Sequence, residues 1–298
     1  MSEEPVLTSP ARILSVNGDI INPSRRALAR QGNLIAVASG KGGVGKTWFS
    51  ITLSQALARH GNRVLLMDGD LGLANVDVQL AMSPEHDLAS VVAGKIALTD
   101  AISAFSGGAA RSAGDKAPMQ RAGMGFDVLA GRSGSGALDT LSRKQIEALC
   151  GDLIRIAVQY DHVIVDLAAG MNGHMMPLFA RIGKALIVVT DDPTSITDAY
   201  AMIKFLATVH PELDIRIVVN MAESKMQAEK TFGAVHRACE HFLHFTPTMA
   251  GYVARDKHVT QAIRAQAPLL ARYPQSEAAM MVQQIAESIQ TSGPRGLI

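Results

Sequence analysis

Ser39-Gly40-Lys41-Gly42-Gly43-Val44-Gly45-Lys46-Thr47 stands directly after the apolar run Leu34-Ile35-Ala36-Val37-Ala38 and directly before the helix-like stretch Trp48–Ala58. Strand, glycine loop and helix in that order make a phosphate-binding loop. The glycines let backbone N–H groups turn inward around phosphate oxygens, Lys46 supplies charge for the outer phosphates, and the Thr47 hydroxyl can ligate Mg²⁺. A tight turn alone would not need the full G-x-x-x-x-G-K-T spacing from Gly40 to Thr47, so the chain is expected to bind a nucleoside triphosphate. Lys41 is a second cation inside the loop. Across a dimer interface it can reach a phosphate in trans, as an arginine finger does.

Outward from the loop, β-rich apolar runs recur at 34–38, 64–67, 126–129, 163–165, 186–189 and 215–219, most of them separated by helix-length stretches. That rhythm predicts a single α/β domain, a mainly parallel twisted sheet with helices on both faces. Residues 1–31 read as a tail, with Arg25, Arg26 and Arg30 as a small basic run, and residues 292–298 as a second tail. The Gly/Ala/Ser-rich stretch from Ser103 to Gly125 reads as a surface loop. Leu141, Ser142 and Gln145 predict a capping box with a hydrophobic staple.

Carboxylates at the C-terminal strand ends face the same crevice as such a loop. Asp68 closes the run 64–67 and is followed by Asp70, Asn75 and Asp77; Asp166 closes 163–165. Two carboxylates close together can serve Mg²⁺ and an attacking water. Thr47, Asp68 and Asp166 are therefore the expected metal-holding groups.

Lys41-Gly42-Gly43-Val44-Gly45-Lys46-Thr47 resembles the deviant Walker A loop of the MinD/ParA ATPases, which are nucleotide-switched dimers. The resemblance spans about residues 32–290 and implies a P-loop ATPase domain over 32–291, using ATP and Mg²⁺. It implies further that Asp70 positions the hydrolytic water and that Asn75 lies at the nucleotide-dependent dimer contact. It also implies that Asp166 is the Walker B carboxylate, that Gly170 approaches the γ-phosphate, and that Asn220 hydrogen-bonds adenine. Gly42, Gly43, Val44, Gly45, Lys46, Thr47 and Trp48 would line the nucleotide, and Val253, within Gly251–Asp256, would belong to a second adenine wall. Trp48, the only tryptophan, is expected beside the bound phosphates. Gly131-Arg132-Ser133-Gly134 and Pro193–Lys204 resemble the FlhG/FleN branch, regulators of flagellar number and placement. Ser195 or Thr197 would cap the helix of the second stretch. Family members carry an N-terminal Asp-Gln-Ala-x-x-Leu-Arg element that residues 1–31 lack.

Net charge is +1, which gives no overall attraction to nucleic acid or anionic lipid. Cys150 and Cys239, the only cysteines, lack a C-x-x-C spacing, which argues against a metallocluster carrier and fits a reducing cytoplasm. No apolar stretch reaches the ~20 residues of a membrane span. A final helix near Glu277–Ile289 has Met281, Ile285 and Ile289 at core spacing and lacks a Lys/Arg face for a membrane surface. His236, Cys239, His241 and His244 read as packed or solvated side chains. Arg264, Arg272 and Arg295 are too sparse for the basic stripe of a DNA-positioning ParA-type ATPase, the competing reading. The expected partners are a second copy in the ATP state and proteins of the flagellar machinery.

Overall fold

The computed structural model describes residues 13–14, 20–21, 32–70, 72, 74–106, 125–131, 141–170 and 176–291. Eight strands form one sheet: β1 (Leu34–Ser39), β2 (Val64–Gly69), β3 (Ile102–Phe105), β4 (Phe126–Leu129), β5 (His162–Ala169), β6 (Lys184–Val189), β7 (Asp214–Ala222) and β8 (Thr248–Ala254). Their spatial order is β8-β7-β6-β1-β5-β2-β4-β3, and only β3 runs antiparallel, against β4. Helices α1 (Lys46–Arg59), α2 (Arg143–Ala157), α3 (Pro193–Val209), α4 (Lys225–Leu243), α5 (Lys257–Arg264) and α6 (Glu277–Thr291) cover both faces.

The central strand shows why the faces are what they are. Leu34, Ala36 and Ala38 point to the layer containing α2, α3 and α4, whereas Ile35 and Val37 point to the layer of α1 and α6. A strand apolar at every position is buried on both sides, the signature of a parallel sheet. All six runs read as strands are strands. β1 lies between β5 and β6 although β2 follows it in sequence, so the chain order reverses beside β1, and the crevice opens at its C-terminal end.

The edges depart from expectation. Ser103–Phe105, expected in a loop, pair with β4, with Phe105 opposite Phe126 and their rings 5.2 Å apart; residues 107–124 lie outside the described residues. β8 extends the other edge. In the expected N-terminal tail, Ile13–Leu14 pair antiparallel with Ile20–Ile21, and Arg25, Arg26 and Arg30, like residues 292–298, lie outside the described residues. The capping box forms: Ser142 N–H donates to Gln145 Oε1 at 3.0 Å and Gln145 N–H to Ser142 Oγ at 3.3 Å. The α3 cap is Asp192 rather than Ser195 or Thr197. Pro193 at the first helical position presets the helix, Asp192 Oδ1 accepts from Thr194 N–H at 2.8 Å, and Ser195 Oγ accepts from Thr190 N–H instead. α6 packs with Ala278, Val282, Ile285 and Ile289 in the core, and Met281 Sδ accepts from Ala254 N–H. On α4, Cys239 is buried, His236 lies against Phe232 and His241 edge-on to Phe242. No helix among the described residues is long and apolar enough to cross a membrane.

Candidate nucleotide site

α1 begins at Lys46 with Gly45 as its N-cap, in the left-handed region at φ 88°, and among the described residues no side chain caps its first N–H groups. Those donors point out of the helix start, where the helix dipole favours an anion. The loop is braced from behind by β7. Asn220 Nδ2 donates to the Val44 carbonyl at 2.7 Å, and a Cβ on residue 45 would lie 2.5 Å from that same nitrogen. Only glycine fits there, on both sterics and φ. Val44 itself is buried in the core, while Gly42 and Gly43 are exposed at the loop tip. The Gly170 N–H donates to Ser39 O at 2.9 Å, which sets the end of β5 against the loop.

Lys46 is nearly buried. Burial lowers its pKa, and the charges of Asp166 and Asp70 oppose that shift. The ammonium therefore sits among carboxylates beside an uncapped helix start, as a group awaiting phosphate would. Asp166, opposite Asp68 in the β2–β5 register, accepts from Ser50 Oγ at 2.9 Å and from the Thr47 hydroxyl. Burial raises its pKa to about 6 against these bonds and the Lys46 charge. Thr47 and Asp166 thus offer adjacent oxygens at the loop, the hard donor set that Mg²⁺ takes.

Asp68, the third group expected to hold metal, is engaged by backbone donors. It is fully buried; Oδ1 accepts from Asp70 N–H at 3.2 Å, and Oδ2 accepts from Asn75 N–H at 2.9 Å and Val76 N–H at 3.0 Å. Burial and then the neighbouring Asp166 charge push its pKa to about 7, against the three backbone donors. A carboxylate so engaged ties the 70–76 loop to the end of β2. Within that loop Asp70 Oδ1 accepts from Gly72 N–H at 3.3 Å, and Asn75 is exposed at the head of the Val76–Gln79 turn. Asp77 Oδ1 accepts from Val78 N–H at 2.8 Å, and burial raises its pKa.

In the single chain the Lys41 ammonium donates to Asp192 Oδ2 at 3.0 Å and to Thr194 Oγ1 at the start of α3, and two further side chains lie away from where they were expected. The Val253 side chain is fully buried in the α1–α6 layer, because β8 turns that position into the core; it forms no open wall. The Trp48 indole also packs in that layer, its Nε1 without a hydrogen-bond partner among the described residues, so only its backbone faces the loop. A residue one step past Thr47 on a helix points back into the sheet, which the 3.6-residue period could have shown. Sequence reasoning missed Ser50, Asp192 and Thr194. The Asp-Pro pair at 192–193 was the legible signal for the cap; nothing local marks Ser50.

The chain matches the CobQ/CobB/MinD/ParA nucleotide binding domain over residues 35–269. It is 34% identical over 267 residues to the antiactivator FleN of Pseudomonas aeruginosa, covering 88% of this chain and 89% of that protein. Identity to the flagellum site-determining protein YlxH of Helicobacter pylori is 30%, over 66% of this chain and 61% of that protein. Among solved structures, the cell division ATPase MinD of Pyrococcus furiosus superimposes with a TM-score of 0.68 at 23% identity, over 87% of this chain and 99% of that one. MinD of Pyrococcus horikoshii complexed with Mg-ADP gives 0.68 at 21%, over 89% and 99%. These two bear on the fold.

Proposed function

The chain belongs to the CobQ/CobB/MinD/ParA nucleotide-binding family, and on that premise we propose that it is an ATP-dependent dimerising switch governing flagellar number or placement. The observation that carries the biochemical reading is the uncapped α1 start with Lys46 held between it and the Asp166 and Asp70 carboxylates. In this reading α1 N–H groups and Lys46 bind the phosphates. Thr47 and Asp166 would hold Mg²⁺, which when bound would supply positive charge to the phosphates. Asp70 orients the water whose oxygen attacks the γ-phosphorus as the bond to the ADP oxygen breaks. Gly170 would approach the γ-phosphate. Asn220, with one amide N–H engaged by the loop, would offer its oxygen to the adenine amino group.

Lys41 and Asn75 serve the paired state. For Lys41 to reach a partner's phosphate it must leave Asp192, a solvent-exposed ion pair that water screens, so the γ-phosphate can outcompete it. Hydrolysis removes that phosphate and with it the reason to pair. The flagellar output rests on the likeness to FleN and YlxH. Sedimentation of Asp70→Ala tests the switch: a dimer with ATP and a monomer with ADP is expected, and equal mass in both rejects it. Deleting the gene in its host and counting flagella tests the output, with unchanged number and position counting against it.

A further inference from the structure

We propose that Gly131 is a positioning residue for the loop 70–76: the side chain it lacks is the space Ala74 fills, and that contact keeps the Asn75 and Val76 amides on Asp68. The role rests on the reading of that loop as the one that carries Asp70 to the attacking water. Gly131 follows β4 and is buried. A Cβ there would lie 2.5 Å from Ala74 Cβ and 3.5 Å from Asp68 Cγ. Carbon atoms pack at about 3.5–4.0 Å, so an added methyl demands a shift of roughly 1 Å between the two chains.

The strand side cannot give. β4 is paired to β2 through Leu129 opposite Met67, and Ala130 O accepts from Leu88 N–H at 2.9 Å just before the glycine. Ala74, itself buried, must move instead, and its neighbours move with it. The Asn75 and Val76 N–H bonds to Asp68 are 2.9 and 3.0 Å; displaced by about 1 Å they leave hydrogen-bonding range. Asp70 is tied to the same carboxylate through its own N–H. One missing methyl thus sets where the loop's carboxylate and its exposed Asn75 sit. The phosphate-binding groups Lys46 and Thr47 and the brace Asn220 stand outside this contact, so nucleotide affinity does not depend on it.

The test is Gly131→Ala beside Gly131→Ala/Ala74→Gly, in the full chain. Expected for the single variant is an ATP turnover lowered about tenfold or more with ATP affinity within about twofold of wild type, and for the double variant turnover restored to within about threefold. Hydrogen exchange should show the Asn75 and Val76 amides opening faster in Gly131→Ala while α1 amides keep their protection, a pattern that general destabilisation would not give. Wild-type turnover in Gly131→Ala, or a double variant as slow as the single one, overturns the proposal. If Gly131→Ala does not fold, Ala74→Val presses on the same gap from the other side, and wild-type turnover there overturns it equally. Asp70→Ala is measured in parallel. If that variant turns over normally, the reading of the loop has failed; if it is inactive while Gly131→Ala is not slowed, only the role of Gly131 has.

Discussion

Both ends of the sheet bury ionisable groups, and they do so to opposite effect. At the C-terminal ends of β1, β2 and β5, Lys46, Asp68 and Asp166 converge on a helix start that no side chain caps. At the N-terminal ends of β5, β6 and β7, Lys184 lies within electrostatic reach of both His162 and Arg216, and Arg216 is clamped to Asp214, Nη2 to Oδ2 at 2.7 Å. Burial and the Arg216 charge lower the Lys184 pKa to about 8, and burial lowers that of His162. Measured by perturbed titration alone, the two ends look alike. They differ in what is left over. At one end, among the described residues, no side chain caps the backbone donors of a loop that glycine lets a ligand approach; at the other, Arg216 is closed by the Asp214 carboxylate. A buried charge becomes a candidate site when donors with no internal partner point at the same space.

The largest expected effect breaks the C-terminal end. Lys46→Ala should weaken ATP binding by about 100-fold or more, because the ammonium faces phosphate in both ground and transition state, whereas Asp70→Ala should keep ATP affinity within about threefold and lose turnover. Equilibrium nucleotide binding and phosphate release measure the two; equal loss of affinity would erase the distinction. Next comes pairing. Lys41→Ala in the Asp70→Ala background should stay monomeric with ATP bound, where Asp70→Ala alone sediments as a dimer.

A smaller effect separates side chain from backbone at Trp48. Trp48→Phe should leave ATP affinity within about twofold and lower stability in urea by about 1–2 kcal/mol, since ring area is lost while an unpartnered buried N–H is removed. Its emission should be that of a buried indole, little moved by nucleotide. A large nucleotide-dependent change would put the ring at the phosphates after all.

The smallest effect lies at the opposite end. Lys184 carries a folded pKa of about 8 against an ordinary 10.5, so between those values the unfolded chain binds more protons and stability rises with pH. Below about pH 8 the cost of burying the charged amine is present in full. Lys184→Met should therefore flatten the difference in urea stability between pH 8 and 10, with nucleotide turnover at pH 7 unchanged. An unaltered slope would place the titration elsewhere.

Much of this was legible because it is local. The phosphate loop, the six central strands and the Ser142–Gln145 cap are each written in consecutive residues whose backbone preferences and apolar periods need no distant partner. β3 was hidden in a small-residue stretch, because an edge strand that is half-buried carries a weak apolar signal, and Asp192 was passed over for the serine three residues on.

The sequence by itself determined that this chain carries a phosphate-binding loop on a doubly covered parallel sheet, and which residue types line its mouth. Only the tertiary structure decided what each does there: that Asp68 binds backbone amides, that Asn220 braces Val44, that Val253 and Trp48 face the core, and that Lys41 rests on Asp192. Spacing along the chain fixes which residues can reach the crevice. Which lone pairs are already taken depends on partners that folding brings together from more than a hundred residues away, as Asn220 with Val44 and Ser50 with Asp166.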